Sequence, residues 1–381
     1  MAGPLTGLKV IEMVGIGPAP FAAMCLSDLG AEIVRVDRPK GEAFLRGDGS
    51  AHDFLGRNRP SVAVDLKNPR GVETVLRMVD SADGLLEGFR PGVMERLGLG
   101  PEVCLARNPG LVFGRMTGWG QEGPLANDVG HDINYIALSG ALHAIGRKGQ
   151  APTPPLNLVG DFGGGGLLLA YGMLAAWLER IRSGQGQVVD AAMVDGATML
   201  MASIHGAAQV GFWSEERGTN LLDTGSHFYD VYETKDGKWV SIGSIEPQFY
   251  VELIRRLGLE GEDLPDQMDK SQWPKMKERF AAIFRTRTRD EWCAVFEGGE
   301  VCFAPVLEMR EAPDHPHNRA RAGFVDFAGA RAPAPAPRFS RTPGEIRSVS
   351  VAPGTNTDEV LADYGFSDDE IAGLREAGAV A

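Results

Sequence analysis

Two side chains that can carry protons, His131 and Asp161, lie at the starts of two predicted helices. His131 opens the sequence HDINYIAL, and Asp161 precedes Phe162 and the four glycines 163–166. Histidine and carboxylate side chains are common general acids and bases in enzymes. A helix N-terminus disfavours a charged imidazolium, so His131 would be held as a neutral base near working pH. The pair therefore predicts proton transfer to and from a bound substrate.

Each of these residues also has an explanation that needs no chemistry. Asp161 could simply cap its helix, and His131 could be a hydrogen-bonded histidine of the core. Glu246, in the sequence GSIEPQ at another predicted helix start, could likewise be a capping carboxylate or a functional acid. The loop-to-helix position of His131, where functional side chains concentrate, favours a functional role. For Asp161 and Glu246 both interpretations stay open at this point.

Alternating strands and helices are expected to position these residues. The first three elements, a strand over 7–13, a helix over 20–29 and a strand over 31–37, form a β-α-β unit. This alternation continues and predicts a parallel sheet covered by helices on both faces. The helix over 163–181 is apolar on nearly all sides, which predicts that it is buried. Further strands are predicted over 61–66, 84–89, 111–116 and 187–191, and further helices over 69–82, 93–97, 101–108, 132–145 and 194–212.

At 381 residues the chain is long enough for two domains. The smaller domain is expected to contain a hairpin over 228–243 and three helices. The last segment contains a proline-rich connector, 331–338, and two helices expected to pack on the large domain. The predicted parts are an α/β large domain over 1–190, a linker-helix region over 191–225, a smaller α+β domain over 226–325 and a return segment over 326–381.

Composition and charge exclude several classes of partner. The net charge of −13 argues against a nucleic-acid surface and against docking on anionic lipid. The longest apolar run, Leu167 to Leu178, is too short to span a bilayer. The four cysteines form no CxxC, and no histidine stands at metal-ligand spacing to them, so neither a disulfide nor a metal site is predicted. These unpaired thiols and the lack of a basic and apolar leader predict a cytoplasmic protein.

Six arginines recur near the ends of predicted strands. Ligands of open parallel sheets bind outside one edge of the sheet, and arginine binds phosphate through two parallel N–H groups. The set therefore predicts a phosphorylated ligand, with scattered surface charge as the alternative for any single member. Its members are Arg35, Arg38, Arg57, Arg59, Arg90 and Arg115.

The first β-α-β unit carries part of a dinucleotide-binding fingerprint. Gly15 and Gly17 follow the first strand, and Asp37 ends the second. Pro20 stands in place of the third glycine, and Pro18 and Pro20 lack the N–H groups that would bind a pyrophosphate. We therefore expect this turn to start a helix and not to bind NAD.

Several motifs spread over the chain resemble those of the family III CoA-transferase superfamily. Within that superfamily, GHDINY at 130–135 and NLVGD at 157–161 resemble the bacterial alpha-methylacyl-CoA racemases. The resemblance covers essentially the whole chain. The other motifs that carry it are LEGFRPGVMERLGLG at 86–100, MTGWG at 116–120, DLK at 65–67 and PRFS at 337–340.

The resemblance implies a large Rossmann-like domain and a smaller domain in each of two interlocked subunits, with the active site between the subunits. It also implies that CoA binds the large domain as part of an acyl-CoA substrate. No metal ion and no separate cofactor is then expected. The predicted CoA-binding residues are Arg38, Ala63, Arg90, Arg115 and Gly118.

The same resemblance implies roles for the catalytic candidates. His131 and Asp161 would be the two proton carriers that invert the α-carbon of a 2-methylacyl thioester. Glu246 would orient His131 from a small domain, and the backbone N–H of Asp132 would bind the enolate oxygen. The alternatives are a CoA-transferase in which Asp161 is the nucleophile and a non-catalytic acyl-CoA binder.

Overall fold

The computed structural model describes residues 3–39 and 50–381, which divide into two compact units. Gly140–Pro155, assigned to the large domain from the sequence, groups with the second unit. There the Arg147 guanidinium binds the Asp230 carboxylate at 2.9 Å. The first unit is built from the chain up to Ser139, Leu156–Met201 and Ala322–Ala381, and the second from Gly140–Pro155 and Ala202–Arg321.

The first unit is organised around a sheet of six parallel strands. Numbered in chain order, they are β1 Lys9–Met13, β2 Glu32–Asp37, β3 Ser61–Ala63, β4 Gly84–Glu87, β5 Val112–Thr117 and β6 Val188–Ala192. Their spatial order, β3-β2-β1-β4-β5-β6, is that of a doubly wound nucleotide-binding fold. The predicted parallel α/β sheet is therefore confirmed.

Helices cover both faces of this sheet. They are α1 Pro18–Asp28, α2 Pro69–Val79, α3 Val93–Arg96, α4 Pro101–Arg107, α5 Asp132–Leu138, α7 Leu168–Ser183, α8 Met193–Leu200, α14 Thr357–Asp363 and α15 Asp368–Glu376. Along β1, Ile11 and Met13 belong to the core that contains α2, α14 and α15, whereas Val10 belongs to the core that contains α1 and α7. Because both faces are buried, the strands read as nearly continuous apolar runs.

The chain near its C-terminus covers the outer edge of the sheet. Val380 pairs in antiparallel orientation with Val64. The Ala381 N–H donates to the Ala63 carbonyl at 3.0 Å, and the Thr357 hydroxyl accepts the Ala63 N–H at 3.2 Å. Both backbone groups of Ala63 are therefore bonded, which protects an edge that would otherwise be free.

A single helix of 26 residues, Leu158–Ser183, contributes to both the core and the surface of the first unit. Its first part, Leu158–Leu167, is a π-helix, and the remainder is α7. Met173 and Trp177 pack in the core, but one side of the helix is exposed, so the prediction that it is buried on all sides is wrong. This exposed stripe consists of Leu167, Tyr171, Leu174, Leu178 and Ile181.

The same helix is long and apolar enough to cross a membrane, judged by length and composition alone. Its most apolar window has a mean hydropathy of 1.3, and 39% of that window is buried. A single helix of this kind is weak evidence for a membrane span, because core helices of soluble proteins share the property. The prediction that the longest apolar run is too short to span a bilayer rested on the shorter segment 167–178.

The second unit combines helices with an antiparallel sheet. Its elements are α6 Ala141–Ala144, α9 Ala202–Gln209, β7 Tyr229–Glu233, β8 Trp239–Gly243, α10 Pro247–Arg256, α11 Trp273–Phe284, α12 Arg289–Phe296, β9 Phe303–Val306 and α13 Pro316–Ala320. The three strands form an antiparallel sheet in the order β7-β8-β9, which includes the predicted hairpin. Aromatic side chains such as Phe228, Phe280 and Phe284 are fully buried in its core.

Two predicted helices are interrupted, and one hairpin was missed. The helix expected over 132–145 ends at Leu138, because Gly140 adopts a positive φ of 84° that a helix cannot continue through. The helix expected over 194–212 is divided into α8 and α9 at Met201. The predicted proline-rich connector begins within a two-stranded hairpin, β10 Phe324–Phe327 and β11 Ala330–Pro333.

Candidate active site

A cleft of about 830 Å³ opens at the carboxyl edge of the six-stranded sheet, beside the point where the strand order reverses between β1 and β4. Open α/β sheets bind their ligands at this point. The cleft is lined by the loops that follow β1, β4 and β5, by the start of α5 and by the π-helix. The residues that the argument below uses are Gly17, Arg90, Gly118, Trp119, His131, Tyr135, Asn157 and Asp161.

His131 lies at the mouth of this cleft as the N-cap residue of α5. Its backbone N–H donates to Asn134 Oδ1 at 3.0 Å, and its carbonyl accepts the Asn134 N–H at 2.8 Å. These two bonds fix the backbone and leave the imidazole exposed. The interpretation of His131 as a core histidine is therefore wrong, and its ring is free to act on a ligand.

Asp161 lies within the π-helix and does not cap it. The cap position belongs to Asn157, whose side-chain N–H donates to Asp161 Oδ2 at 3.1 Å. Burial raises the pKa of the Asp161 carboxyl, and the charge of Asp132 raises it further, whereas the Asn157 hydrogen bond and the charge of His131 oppose the rise. A raised carboxyl pKa in a cleft is the environment of a proton carrier.

The glycines after Asp161 allow the π-helix to approach its neighbours closely. A Cβ at Gly164 would lie 2.6 Å from the Ala197 nitrogen of α8, and one at Gly166 would lie 2.6 Å from the Pro18 carbonyl oxygen of α1. Real Cβ atoms do not come this close to backbone, so only glycine fits. The glycine run therefore holds Asp161 beside the cleft by packing its helix directly on two others.

Asp132, predicted for its backbone N–H, also contacts Asp161 through its side chain. Asp132 Oδ2 accepts the Asp161 backbone N–H at 2.7 Å. The residue is only 6% exposed, and its Oδ1 has no hydrogen-bond partner among the described residues. A carboxylate is thus held beside the proton carrier, and no salt bridge joins it to a cation in residues 3–39 and 50–381.

Tyr135 forms one wall of the cleft and was not predicted. Its hydroxyl donates to the Gly130 carbonyl at 2.5 Å, and its ring meets Trp119 edge-on at 4.7 Å. A Cβ at Gly118 would lie 2.1 Å from this ring, so Gly118 is required to make room for Tyr135. Tyr135 was missed because it lies among the apolar residues of α5, where the sequence pattern indicates core positions.

Arg90 is the predicted phosphate-binding arginine that lines this cleft. Burial raises the pKa of Tyr135, the charge of Asp161 adds to the rise, and the charge of Arg90 opposes it. The Arg90 side chain is exposed, and no hydrogen bond or salt bridge joins it to another described residue. Its guanidinium is therefore available to an anionic ligand.

Three of the other arginines are instead buried in ion pairs. Their guanidinium groups have carboxylate partners within the first unit, so they are not free to bind a ligand phosphate. The prediction of a phosphate-binding role is therefore wrong for them. The pairs are Arg35 with Asp37 at 2.6 Å, Arg59 with Glu12 at 2.7 Å, and Arg57 with Asp28.

Arg115 is also buried, and it joins two acids. Its Nε donates to Glu87 at 3.0 Å, and its Nη1 donates to Glu95 at 2.8 Å. Burial raises the pKa of Glu87 to about 7, although the Phe89 N–H and Arg115 both oppose the rise. The predicted contact of Arg115 with CoA stays a prediction, and the bonds shown here support the loop that carries Arg90.

A second cavity, of about 720 Å³, lies at the same edge of the sheet beyond β2 and β3. Arg38 lines it with an exposed side chain, as does Lys67, which the prediction did not include. Ala63 is 2% exposed, and the C-terminal chain bonds to its backbone. The two cations make this cavity suitable for a phosphorylated group.

Glu246 belongs to the second unit, as the N-cap residue of α10. Its side chain makes no capping hydrogen bond and is exposed. The interpretation of Glu246 as a capping carboxylate is therefore wrong. Its predicted contact with His131 stays a prediction.

Comparison with known proteins identifies the family. A sequence model described as CoA-transferase family III matches residues 5–359. The alpha-methylacyl-CoA racemases of Mus musculus and Homo sapiens are 48% and 45% identical to the chain. The mouse alignment covers 97% of this chain and 96% of the relative, and the human one 96% and 95%.

Solved structures agree with this result. A CAIB/BAIF family protein from Brucella suis superimposes with a TM-score of 0.82 at 23% identity, over 96% of this chain and 100% of that one. Hypothetical protein Rv3272 of Mycobacterium tuberculosis superimposes with a TM-score of 0.79 at 26% identity, over 94% and 99%. The fold, the cleft at the carboxyl edge of the sheet and the match over nearly the whole chain lead to one conclusion: the chain belongs to CoA-transferase family III.

Proposed function

We propose that the protein is an alpha-methylacyl-CoA racemase, which interconverts the (2R) and (2S) forms of 2-methylacyl-CoA thioesters. The observation that carries the proposal is that His131 and Asp161 line one cleft. The similarity to the mouse and human racemases over nearly the full chain supports it.

The proposed reaction needs one base and one acid on opposite faces of the α-carbon. The base takes the α-proton, and the C–H electron pair forms an enolate with the thioester carbonyl. The acid then returns a proton from the other face. His131 is the base for one enantiomer and the Asp161 carboxylate for the other. The raised pKa of Asp161 suits this exchange, because the carboxyl must also act as a proton donor.

The enolate oxygen is stabilised by a backbone donor at the start of α5. The N–H of Asp132 follows His131 directly in the chain, and it belongs to the first turn of the helix, where N–H groups lack a helical acceptor. A donor fixed beside the base can bind negative charge as it develops on the oxygen.

The CoA part of the substrate binds along the carboxyl edge of the sheet. The free guanidinium of Arg90 and the cations of the second cavity, Arg38 and Lys67, are its proposed phosphate-binding groups. Ala63, Arg115 and Gly118 remain predicted neighbours of CoA. The racemase chemistry as written needs no separate cofactor.

The protein is proposed to act as an interlocked homodimer. The exposed stripe of α7 supports this, because Leu178 is 64% and Ile181 81% exposed on one helix. A second copy of the chain would cover such a surface. Glu246 of a partner subunit would then orient His131. A cytoplasmic location and a role in lipid metabolism also remain proposals.

The test is to incubate one enantiomer of a 2-methylacyl-CoA with the protein in deuterium oxide, without an acceptor acid. The α-proton should be replaced by deuterium, with inversion. His131→Ala should lose this activity, whereas His205→Ala, which removes an exposed histidine of α9, should keep it.

The same experiment separates the alternatives. Transfer of CoA onto an added carboxylate without α-proton exchange would establish a CoA-transferase in which Asp161 is the nucleophile. Binding of the thioester with neither exchange nor transfer would establish a non-catalytic binder. Either result would overturn the racemase proposal.

A further inference from the structure

We propose that the Asp132 side chain is a positioning residue for Asp161, fixing its backbone and using negative charge to keep a proton on its carboxyl. This inference rests on the proposed racemase function and concerns a group other than the Asp132 N–H. The Asp132 side chain acts through Asp161 and does not itself touch the substrate.

The contact is direct and buried. Asp132 Oδ2 accepts the Asp161 N–H at 2.7 Å, at a residue that is 6% exposed. The second oxygen, Oδ1, is buried without a partner among the described residues. A buried anion without a cation is unfavourable. Such arrangements cluster at functional sites, where the surrounding structure maintains them.

The glycine at position 160 leaves room for this contact. A Cβ at this position would lie 2.6 Å from Asp132 Oδ2 and 2.9 Å from its Cγ. Any side chain there would push the carboxylate away from the Asp161 N–H. Gly160 is therefore required for the approach of α5 to the π-helix, independently of the glycines that follow Asp161.

Asp132 is the acid whose charge raises the pKa of Asp161. Burial is the main cause of the raised pKa of Asp161. The charge of Asp132 adds to the rise, whereas the Asn157 hydrogen bond and the charge of His131 oppose it. The charge of Asp161 in turn helps to raise the pKa of Tyr135 on α5, for which burial is the main cause. Charged groups of the other packed elements have different partners: Asp195 of α8 acts on Asp190 of β6, Arg115 of β5 binds Glu87 and Glu95, and Asp28 of α1 binds Arg57.

The proposed role follows from the two protonation forms of the enzyme. One form has a neutral His131 and a protonated Asp161, and the other has an imidazolium and a carboxylate. The first form becomes about tenfold rarer for each unit by which the pKa of the carboxyl lies below that of the imidazole. A negative charge beside Asp161 narrows this gap, so both forms stay populated.

The test compares Asp132→Asn with wild type over a pH series of kcat/KM for racemisation. The amide oxygen still accepts the Asp161 N–H, but the charge is gone. The acidic side of the profile, which reports ionisation of Asp161, should move to lower pH by about 1 unit. The shift should be the same from both enantiomers, because their equilibrium constant does not depend on the enzyme.

Asp195→Asn is the matched control, since it removes an exposed carboxylate from a helix packed on the same π-helix. It should leave the profile unchanged. A profile of Asp132→Asn that coincides with wild type would overturn the positioning role, because a merely structural hydrogen bond moves rate and not pKa. Wild-type protein without α-proton exchange would overturn the proposed function instead.

A second variant keeps the inference testable if Asp132→Asn does not fold. Gly160→Ala displaces the Asp132 carboxylate without removing it. It should lower kcat about tenfold and move the acidic side of the profile in the same direction. An unchanged profile in a folded, active Gly160→Ala protein would also contradict the proposal.

Discussion

Two groups of buried acids in the first unit have opposite surroundings. The first group consists of Glu12, Asp28 and Asp37. Each of these acids is paired with an arginine and is at most 3% exposed. At the cleft, the Asp132 carboxylate accepts the Asp161 backbone N–H, and no salt bridge joins either acid to an arginine or lysine of the described chain. The first arrangement neutralises charge, and the second keeps charge unneutralised.

The difference separates groups that support the fold from groups that do chemistry. Burial raises the pKa of Glu12, Asp28 and Asp161 alike. The two groups differ in the charge beside them. Arg59 and Arg57 oppose the rise at Glu12 and Asp28 and stabilise the anion, whereas the charge of Asp132 adds to the rise at Asp161. Like charges held together lower the stability of the folded state, so the cleft trades stability for reactivity. The predictions below test this contrast.

The largest effect is expected from Asp161→Asn. Racemisation should fall by about a hundredfold to ten-thousandfold, because an amide cannot carry a proton. The free energy of unfolding should rise by about 0.5–2 kcal/mol, since the repulsion from Asp132 is removed. Deuterium exchange and urea unfolding at neutral pH measure the two quantities. A loss of both activity and stability would show that Asp161 supports the fold.

Arg59→Ala should change the free energy of unfolding in the opposite direction. It leaves Glu12 buried and unpaired at a residue 1% exposed, so the free energy of unfolding should fall by about 3–5 kcal/mol. Denaturant unfolding measures the loss. The double variant Glu12→Leu/Arg59→Met removes both charges and should recover most of it. If the double variant is as unstable as the single one, packing and not charge explains the site.

The sequence predicted the strand-helix alternation and both candidate proton carriers. Each signal is local: an apolar strand run, or a polar residue at a helix start. His131 and Asp161 were identified because a histidine and an aspartate begin consecutive predicted helices. The structure then removed the alternatives, since one side chain is exposed and the other does not cap its helix.

The ion pairs of Arg57 and Arg59 could not be predicted, because their partners are distant in the sequence. Arg59 and Glu12 are 47 residues apart, and Arg57 and Asp28 are 29 apart. From sequence alone, these arginines were indistinguishable from Arg90, which has no such partner among the described residues. The π-helix was missed for a different reason: glycines have no side-chain periodicity, so its start at Leu158 left no signal.

His227 is a buried base that lines neither of the two cavities described above, and it tests whether burial alone marks a functional group. Burial, with the charge of Lys277 adding to it, lowers the pKa of this histidine to about 4, and its Nε2 lies 2.8 Å from the Tyr250 hydroxyl. Its folded pKa is below the ordinary value of 6.5, so the unfolded chain takes up the proton first as pH falls. Stability contributed by the neutral ring is therefore present above pH 6.5 and is lost as pH falls toward 4.

Because of this group, the free energy of unfolding measured with urea should fall by about 2–3 kcal/mol between pH 7 and pH 4.5. His227→Gln should remove that part of the pH dependence while racemisation at pH 7 changes little, because the ring lies in the core of the second unit. Equal pH dependence in both proteins would contradict the assignment. Loss of racemisation in a stable His227→Gln protein would show that burial without a cleft also marks function, and the contrast between the two groups of acids would then not generalise.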